Sequence, residues 1–285
     1  PLLMRADQLL LQRGLASSRS QAQRLIGAGV QWRGLAAQSD VAWKRIGKNS
    51  DEVPEDAQIE LLDSSEARYV SRGGLKLEGA LRQSGLTVTG KTCLDLGQST
   101  GGFTDCLLQH GALRVVGVDV GSGQLHPQLR QDPRVSALEG VNARYLDAAN
   151  FVATEAGSSL VSEETDDPVG DRAQPAADIG FDLIVGDLAF ISQTLVLPAC
   201  VPFLCPGGAV LLLVKPQFEL QPGQVGKGGI VRDERLYAEV EQRIRDCYAA
   251  LGLRVSGWFE SPILGGDGNR EFFVFAHKPS EQESG

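Results

Sequence analysis

The chain has 285 residues, 42% of them hydrophobic and 22% charged, which excludes a disordered or fibrous protein and leaves room for about two domains. Five cysteines form no C-x-x-C pair and are odd in number, which argues against a disulfide framework or a cysteine zinc site and fits a reducing cytoplasm. The net charge of −9, taken as an average over the chain, argues against a polyanionic partner.

That mean hides a gradient. Residues 1–50 carry +6, 51–66 carry −7, 67–150 carry +2, 151–180 carry −6 and 181–285 carry −4. A basic head is thus followed by an acidic connector and a near-neutral body with a second acidic stretch inside it. No apolar run approaches the ~20 residues that cross a bilayer. Arg5 and Asp7 come too early for the apolar region of a signal peptide, so no membrane partner is expected.

Residues 4–33 read as two short helices and a turn. Leu9, Leu10 and Leu11 supply an apolar face, and Gly14 ends the first helix. Ser17 or Ser18 caps the second, where Ala22, Leu25 and Ile26 recur at helical spacing before Gly29 stops it. Val30–Arg33 then suggests a strand. Arg5, Arg13, Arg19, Arg24 and Arg33 are left for the surface, where guanidinium groups suit phosphate contacts.

Arg5-Ala6-Asp7, the run Gly14-Leu15-Ala16-Ser17-Ser18-Arg19-Ser20, Ala22, Ile26 and Gly29-Val30 resemble the ribosomal S4 RNA-binding domain. The resemblance implies binding of structured RNA through the helix pair. Trp32 departs from it, standing where a small aliphatic residue is usual.

Asn49–Glu60, with Pro54 and many carboxylates, reads as a boundary or a surface turn. Residues 153–180 mix Ser, Pro, Gly and acids with little periodicity and read as a long mobile insertion.

From residue 88 short apolar runs alternate with helical stretches. The expected strands are Thr92–Leu96, Val115–Val118, Val135–Glu139, Phe181–Gly186, Ala209–Val214, Leu253–Glu260 and Glu271–Ala276. Strands spaced by helix-length segments imply an α/β doubly wound, mostly parallel sheet, with ligands beyond the carboxyl ends of its strands.

The first of these strands runs into Asp95-Leu96-Gly97-Gln98-Ser99-Thr100-Gly101-Gly102-Phe103. Glycines here allow positive φ and a close approach of ligand to backbone at a helix N-terminus. Asp119 ends the next strand, where a carboxylate typically holds ribose hydroxyls. The G-x-G-x-x-G spacing of an NAD enzyme fails, because Gln98 and Ser99 follow Gly97. The loop resembles that of Rossmann-like methyltransferases that bind S-adenosylmethionine. Gln98 stands where a small residue is usual, so a change in cofactor affinity is expected. Asn142, past the third strand, is an adenine-side candidate. A phosphate-binding P-loop fails at Gly226-Lys227-Gly228, and Gly226–Asp233 reads as a flexible loop on the substrate side.

Lys215 follows a strand apolar enough to be buried on both faces, and Asp187 ends the previous strand at the same edge. A lysine so placed is a candidate base, because burial disfavours its ammonium form. Taken singly, Lys76 on the helix expected over Arg72–Ser84 reads as a solvated lysine, and Glu271 as a surface carboxylate.

Taken together they carry a second resemblance. Tyr69-Val70-Ser71-Arg72-Gly73-Gly74-Leu75-Lys76-Leu77, Asp187-Leu188-Ala189-Phe190-Ile191-Ser192, Val214-Lys215-Pro216-Gln217-Phe218-Glu219 and Gly268-Asn269-Arg270-Glu271-Phe272 resemble the TlyA family, labelled hemolysin A. The resemblance implies an S4-like domain over residues 1–63, a linker over 64–70 and an FtsJ-like methyltransferase domain over 71–280. That domain is expected as a Rossmann-like fold with a seven-stranded sheet. It also implies methylation of ribose 2′-hydroxyls of ribosomal RNA, at cytidine, by S-adenosylmethionine and without a metal. Lys76, Asp187, Lys215 and Glu271 would form the catalytic tetrad. Asp95, Gly97, Ser99, Thr100, Gly101, Gly102, Phe103, Asp119, Asn142 and Asp187 would hold the cofactor.

Three rivals are weaker. Asp187-Leu188-Ala189-Phe190 lacks both prolines of the motif expected in an amino-group methyltransferase, and Cys205-Pro206-Gly207-Gly208 reads as a turn rather than a cytosine-C5 nucleophile. A membrane-active hemolysin would need a spanning run or a cationic amphipathic helix. A non-catalytic RNA-binding protein would not need the complete tetrad.

Overall fold

A computed structural model describes residues 2–34, 42–64, 67–152 and 179–280, and the chain divides into two units, Pro1–Leu75 and Lys76–Gly285. In the first unit β1 (Leu3–Arg5) leads into α1 (Ala6–Gln12), which Gly14 ends with a left-handed φ of +67°. Ser18, not Ser17, caps α2 (Arg19–Gly29), accepting the Gln21 N–H at 3.2 Å. The Gln21 side chain reaches back to accept the Ser17 N–H at 2.6 Å, so two free helix-start donors are satisfied reciprocally. Leu9 and Leu10 pack with Ala22, Leu25 and Ile26 in a small core. β2 (Val30–Arg33) lies between β3 (Lys44–Arg45) and a later strand, β5 (Gln58–Leu61), and β4 (Glu52–Pro54) pairs with β1.

The acidic connector is therefore not a boundary turn. Val53 and Ala57 are buried in the small core, and Ile59 packs against it, which is enough apolar surface to draw the segment into two strands. The expected acidic insertion at 153–180 lies outside the described residues apart from Ile179 and Gly180.

In the second unit α3 (Gly73–Ser84), which begins in the first, precedes β6 (Thr92–Leu96), α4 (Gly102–Gln109), β7 (Arg114–Asp119), α5 (Pro127–Arg130), β8 (Val135–Glu139) and α6 (Ala148–Val152). After the insertion come β9 (Phe181–Gly186), α7 (Gln193–Cys200), β10 (Leu204–Val214), α8 (Pro216–Glu219), α9 (Arg235–Ala250), β11 (Arg254–Glu260) and β12 (Phe272–His277). All seven expected strands form one sheet, in the order β11-β12-β10-β9-β6-β7-β8. β12 runs antiparallel to both neighbours, and the strands from β10 to β8 are parallel. β10 begins earlier than expected, with a register shift between Leu204 and Ala209 where Pro206 and Gly207 interrupt regular pairing.

From β6 the chain winds outward to β7 and β8, then returns to the other side of β6 at β9. The reversal opens a crevice at the carboxyl ends of β6 and β9, the general place for a ligand in such a sheet.

Candidate active site

The loop after β6 is pinned at that crevice. Gly97 donates to the Val118 carbonyl at 2.8 Å, and Asp187 donates its N–H to the Leu96 carbonyl at 3.0 Å. Gly97 has φ +77°, and a Cβ there would stand 2.7 Å from the Asp187 carbonyl oxygen, so glycine is required twice over. Gly101, at φ +97°, would collide with Leu129 and Leu125 of the facing segment. Asp119 accepts the Ser99 N–H at 2.7 Å and the Gly121 N–H at 2.7 Å, one on each oxygen. A carboxylate oxygen can accept a second hydrogen bond, so Asp119 retains capacity for the paired hydroxyls of a ribose. Ser99 and Thr100 are exposed along the loop, and Gly102 starts α4.

Asp95 and Phe103 lie beneath that surface. Phe103 is buried and stacks on Phe273 with ring centroids 6.2 Å apart. Asp95 is fully buried, accepts the Thr104 hydroxyl at 2.7 Å, and leaves its second oxygen without a partner. Burial pushes its carboxyl up to about 7, against the Thr104 hydrogen bonds and with Asp187 and Asp119 adding to the rise. An unpartnered buried oxygen under a glycine loop, with a second carboxylate at the next strand end that keeps free acceptor capacity, fits a cationic nucleoside cofactor.

Gln98 does not face that cofactor space. Its side chain is buried, donates to Thr104 at 2.9 Å, and occupies the room left by Gly117 of β7, where a Cβ would come within 2.0 Å of it. The expected effect of Gln98 on cofactor affinity therefore loses its geometric basis. Asn142 is exposed after β8, and its side-chain oxygen caps a short turn by accepting the Arg144 N–H at 3.0 Å.

At the same sheet edge two lysine–carboxylate pairs are gathered. Lys215 Nζ lies 2.5 Å from Asp187 Oδ1, because β9 and β10 are neighbours: Gly186 at the end of β9 pairs with Leu212, and β10 runs only two residues further before Lys215. Val214 pairs with Phe272, so Lys215 and Glu271 stand one position beyond the registered pair. Lys76 Nζ lies 2.5 Å from Glu271 Oε2. The helix carrying Lys76 docks through Gly79, where a Cβ would meet Pro262 at 2.5 Å, and Ser261 donates to the Glu271 carbonyl at 2.8 Å. Positions 76 and 79 share one face of α3, so this close approach delivers the lysine to the acid. Neither Lys76 nor Glu271 is the solvated group that each appears to be alone; both are buried. Burial raises the Glu271 carboxyl above its ordinary range, opposed by Lys76 and Lys215 and reinforced by Asp187, so both pairs act in one electrostatic neighbourhood.

The five arginines of the head are placed less uniformly. Arg5 forms a bidentate pair with Asp7 at 3.0 and 2.8 Å, and Arg13 donates to the Glu55 carbonyl. Arg33 donates to Gln58 at 2.5 Å and sits over the Trp43 ring at 4.7 Å. Arg24 is half-buried and Arg19 is exposed. Lys44, over the Trp32 ring at 5.3 Å, adds a cation and an aromatic that arginine counting misses.

Other residues at the site carry no signal in periodicity. Phe190, three residues past Asp187, is 90% exposed in a left-handed conformation (φ +63°) and leans on Phe218 at 5.1 Å. A bulky residue held there is strained. Glu219 is buried, accepts from Ser192 and from the Gln193 N–H, and so ties the start of α7 to the segment after Lys215. Among the described residues no cluster of His, Cys, Asp and Glu is arranged to hold a metal ion, and no helix is long and apolar enough to cross a membrane.

A seven-stranded sheet with its last strand reversed, a glycine loop at the switch point and two lysine–acid pairs beside it define a Rossmann-like methyltransferase. Known proteins agree. The FtsJ-like methyltransferase model matches residues 69–278. The 16S/23S rRNA (cytidine-2′-O)-methyltransferase TlyA of Mycobacterium tuberculosis is 40% identical over 279 residues, which is 98% of this chain and 91% of that protein. Hemolysin A of Brachyspira hyodysenteriae is 35% identical over 275 residues, 95% of this chain and 98% of its own length. A solved structure described as a hemolysin from Streptococcus thermophilus matches with a TM-score of 0.67 at 36% identity, covering 97% of this chain and 89% of that one. The chain belongs to the FtsJ-like methyltransferase family, among the TlyA proteins.

Proposed function

We propose that this protein transfers a methyl group from S-adenosylmethionine to ribose 2′-hydroxyls of ribosomal RNA, at cytidine, in the cytoplasm. The observation that carries the reading is the gathering of the Lys215–Asp187 and Lys76–Glu271 pairs at the sheet edge that bears the cofactor loop. The N-terminal unit acts as an S4-like RNA reader, with exposed Arg19 and Lys44 available to phosphates and Arg24 half-buried on the same helix as Arg19.

Gly97, Ser99, Thr100, Gly101 and Gly102 would cradle the cofactor, Asp119 would hold its ribose, and Asn142 would serve the adenine side. When bound, the cofactor supplies an electrophilic methyl on a sulfonium. Lys215, in its neutral form, takes up the proton of the attacking hydroxyl, and Asp187 stabilises the ammonium so formed. Lys76 offers positive charge to the developing oxyanion, and Glu271 fixes its direction. Phe190 presents an exposed aromatic face beside Asp187 on which a base can stack.

Incubating ribosomal subunits with the protein and labelled S-adenosylmethionine, then mapping alkali-resistant linkages, tests the reading. The expected result is methyl on ribose at a small number of cytidines. Methyl on a base, or none on RNA, would overturn it, and lysis of red cells by the pure protein would revive the cytotoxin.

A further inference from the structure

Several hydrogen bonds converge on Asn269, whose side chain has a place in neither the cofactor loop nor the tetrad and is 2% exposed. Asn269 Oδ1 accepts the Val231 N–H at 3.0 Å, and Nδ2 donates to the Gly229 carbonyl at 2.9 Å, so one amide grips two points of the glycine loop. Nδ2 also donates to Asp267 Oδ2 at 2.8 Å, which commits both N–H groups of the amide inside the protein. Asp267 in turn accepts from Gln217 Nε2 at 3.0 Å, two residues past Lys215. Two residues beyond Asn269 stands Glu271.

Neither gripped segment is slack. Gly228 and Gly229 adopt left-handed φ of +79° and +80°, Gly226 donates to the Ile230 carbonyl at 3.0 Å, and Lys227 is exposed at the tip. The loop that reads as flexible is a closed turn. On the other side Gly265 donates to the Asn269 carbonyl at 2.9 Å, and a Cβ on Gly265 would stand 2.6 Å from Glu271 Oε1. The turn is therefore packed directly on the catalytic acid, and a shift in it moves that acid.

We propose that Asn269 is a positioning residue for methyl transfer, its amide locking the Gly226–Val231 loop to the turn that delivers Glu271 to Lys76. The proposal rests on the functional reading above and assigns Asn269 no contact with substrate. Its energetic logic is that a buried amide with both donors and its oxygen engaged admits one arrangement, whereas a half-satisfied one admits several.

Asn269→Ala and Asn269→Asp in the full chain test it. In the alanine variant the Val231 amide is expected to exchange with deuterium about tenfold faster or more, since its acceptor is gone. The kcat for ribose methylation should fall about tenfold or more, with KM for RNA and the affinity and stoichiometry for S-adenosylhomocysteine little changed. In the aspartate variant the acceptor for Val231 remains, but a carboxylate cannot donate to Gly229 and repels Asp267. Protonation restores one donor, so this variant should regain rate relative to wild type as pH falls from about 8 to about 6. Unchanged exchange at Val231 in the alanine variant would overturn the lock. Faster exchange with unchanged kcat, or a rate loss matched by lost S-adenosylhomocysteine stoichiometry, would overturn the positioning role. A wild-type chain inert on ribosomal RNA would overturn the functional reading instead, and exchange at Val231 would still decide the lock.

Discussion

The two lysine–carboxylate pairs are equal in length and unequal in burial. Both close to 2.5 Å, but the Lys76 and Glu271 side chains are 9% and 3% exposed, whereas Lys215 and Asp187 are 14% and 24% exposed. A charge pair deep in protein is strongly penalised when one partner is lost, because the survivor has neither water nor counter-charge. A pair open to solvent is less costly to break and can be reached by a substrate. On the proposed reaction the same residue types would divide the labour, the covered pair as a fixed field and the more exposed pair handling the proton.

The largest expected effect breaks the open pair. Lys215→Ala should lower methyl transfer by about 10²-fold or more while S-adenosylhomocysteine binding, read by calorimetry, stays close to wild type. Near-normal turnover would remove Lys215 from proton transfer. Next, Glu271→Gln leaves Lys76 covered without a counter-charge and should cost about 3 kcal/mol of stability in urea unfolding. Replacing both as Lys76→Met and Glu271→Leu should recover most of that stability and none of the activity. If the single variant is as stable as wild type, the contrast between the pairs is wrong.

A third experiment separates burial from pairing. Asp95 is as deeply covered as Glu271, but it has a threonine hydroxyl as its partner and sits near 7. Its unfolded value is about 3.9, so the folded protein holds an extra proton between those limits. Stability contributed by this group therefore falls as pH rises from about 4 to about 7 and is flat above. Asp95→Asn should remove that slope, by roughly 4 kcal/mol across the window, in denaturation curves taken at several pH values. Glu271, also raised, should add a slope of the same sign that survives in the Asp95 variant.

The smallest effect concerns the approach to the open pair. Phe190→Gly relieves the left-handed strain and should leave stability equal or higher by about 0.5 kcal/mol. The same change should raise KM for RNA about tenfold, if a base stacks there. A loss of stability with unchanged KM would assign Phe190 to packing alone.

Much of this was legible in the chain. The apolar runs that became β6, β9 and β10 announced strand type and edge, since a strand buried on both faces cannot hide its composition. The ends of those strands then located Asp187 and Lys215 together. Lys76 and Glu271 were legible through family resemblance and not through pattern. They lie 195 positions apart, and nothing local to either reports that Pro262 will seat against Gly79. Asn269 and Glu219 stand in the family motifs, but their structural roles are hidden for a related reason. A polar residue in a loop reads as solvated until the partners that cover it are known. The place of Gln98 cannot be read from its loop motif, because the missing side chain at Gly117, on another strand, decides where Gln98 goes.

The reversed direction of β12 has a consequence in time. Of the two lysine–carboxylate pairs, Lys76, Asp187 and Lys215 are all in place by residue 215, but Glu271 arrives just before β12, because that strand enters the sheet from the opposite side. During synthesis, from the N-terminus onward, Lys76 must therefore wait without this counter-charge until residue 271 has emerged. If the two pairs act as proposed, no competent site would form before Glu271 is in place. Closure of the final hairpin of β11 and β12 is the event that turns a folded scaffold into a potential catalyst.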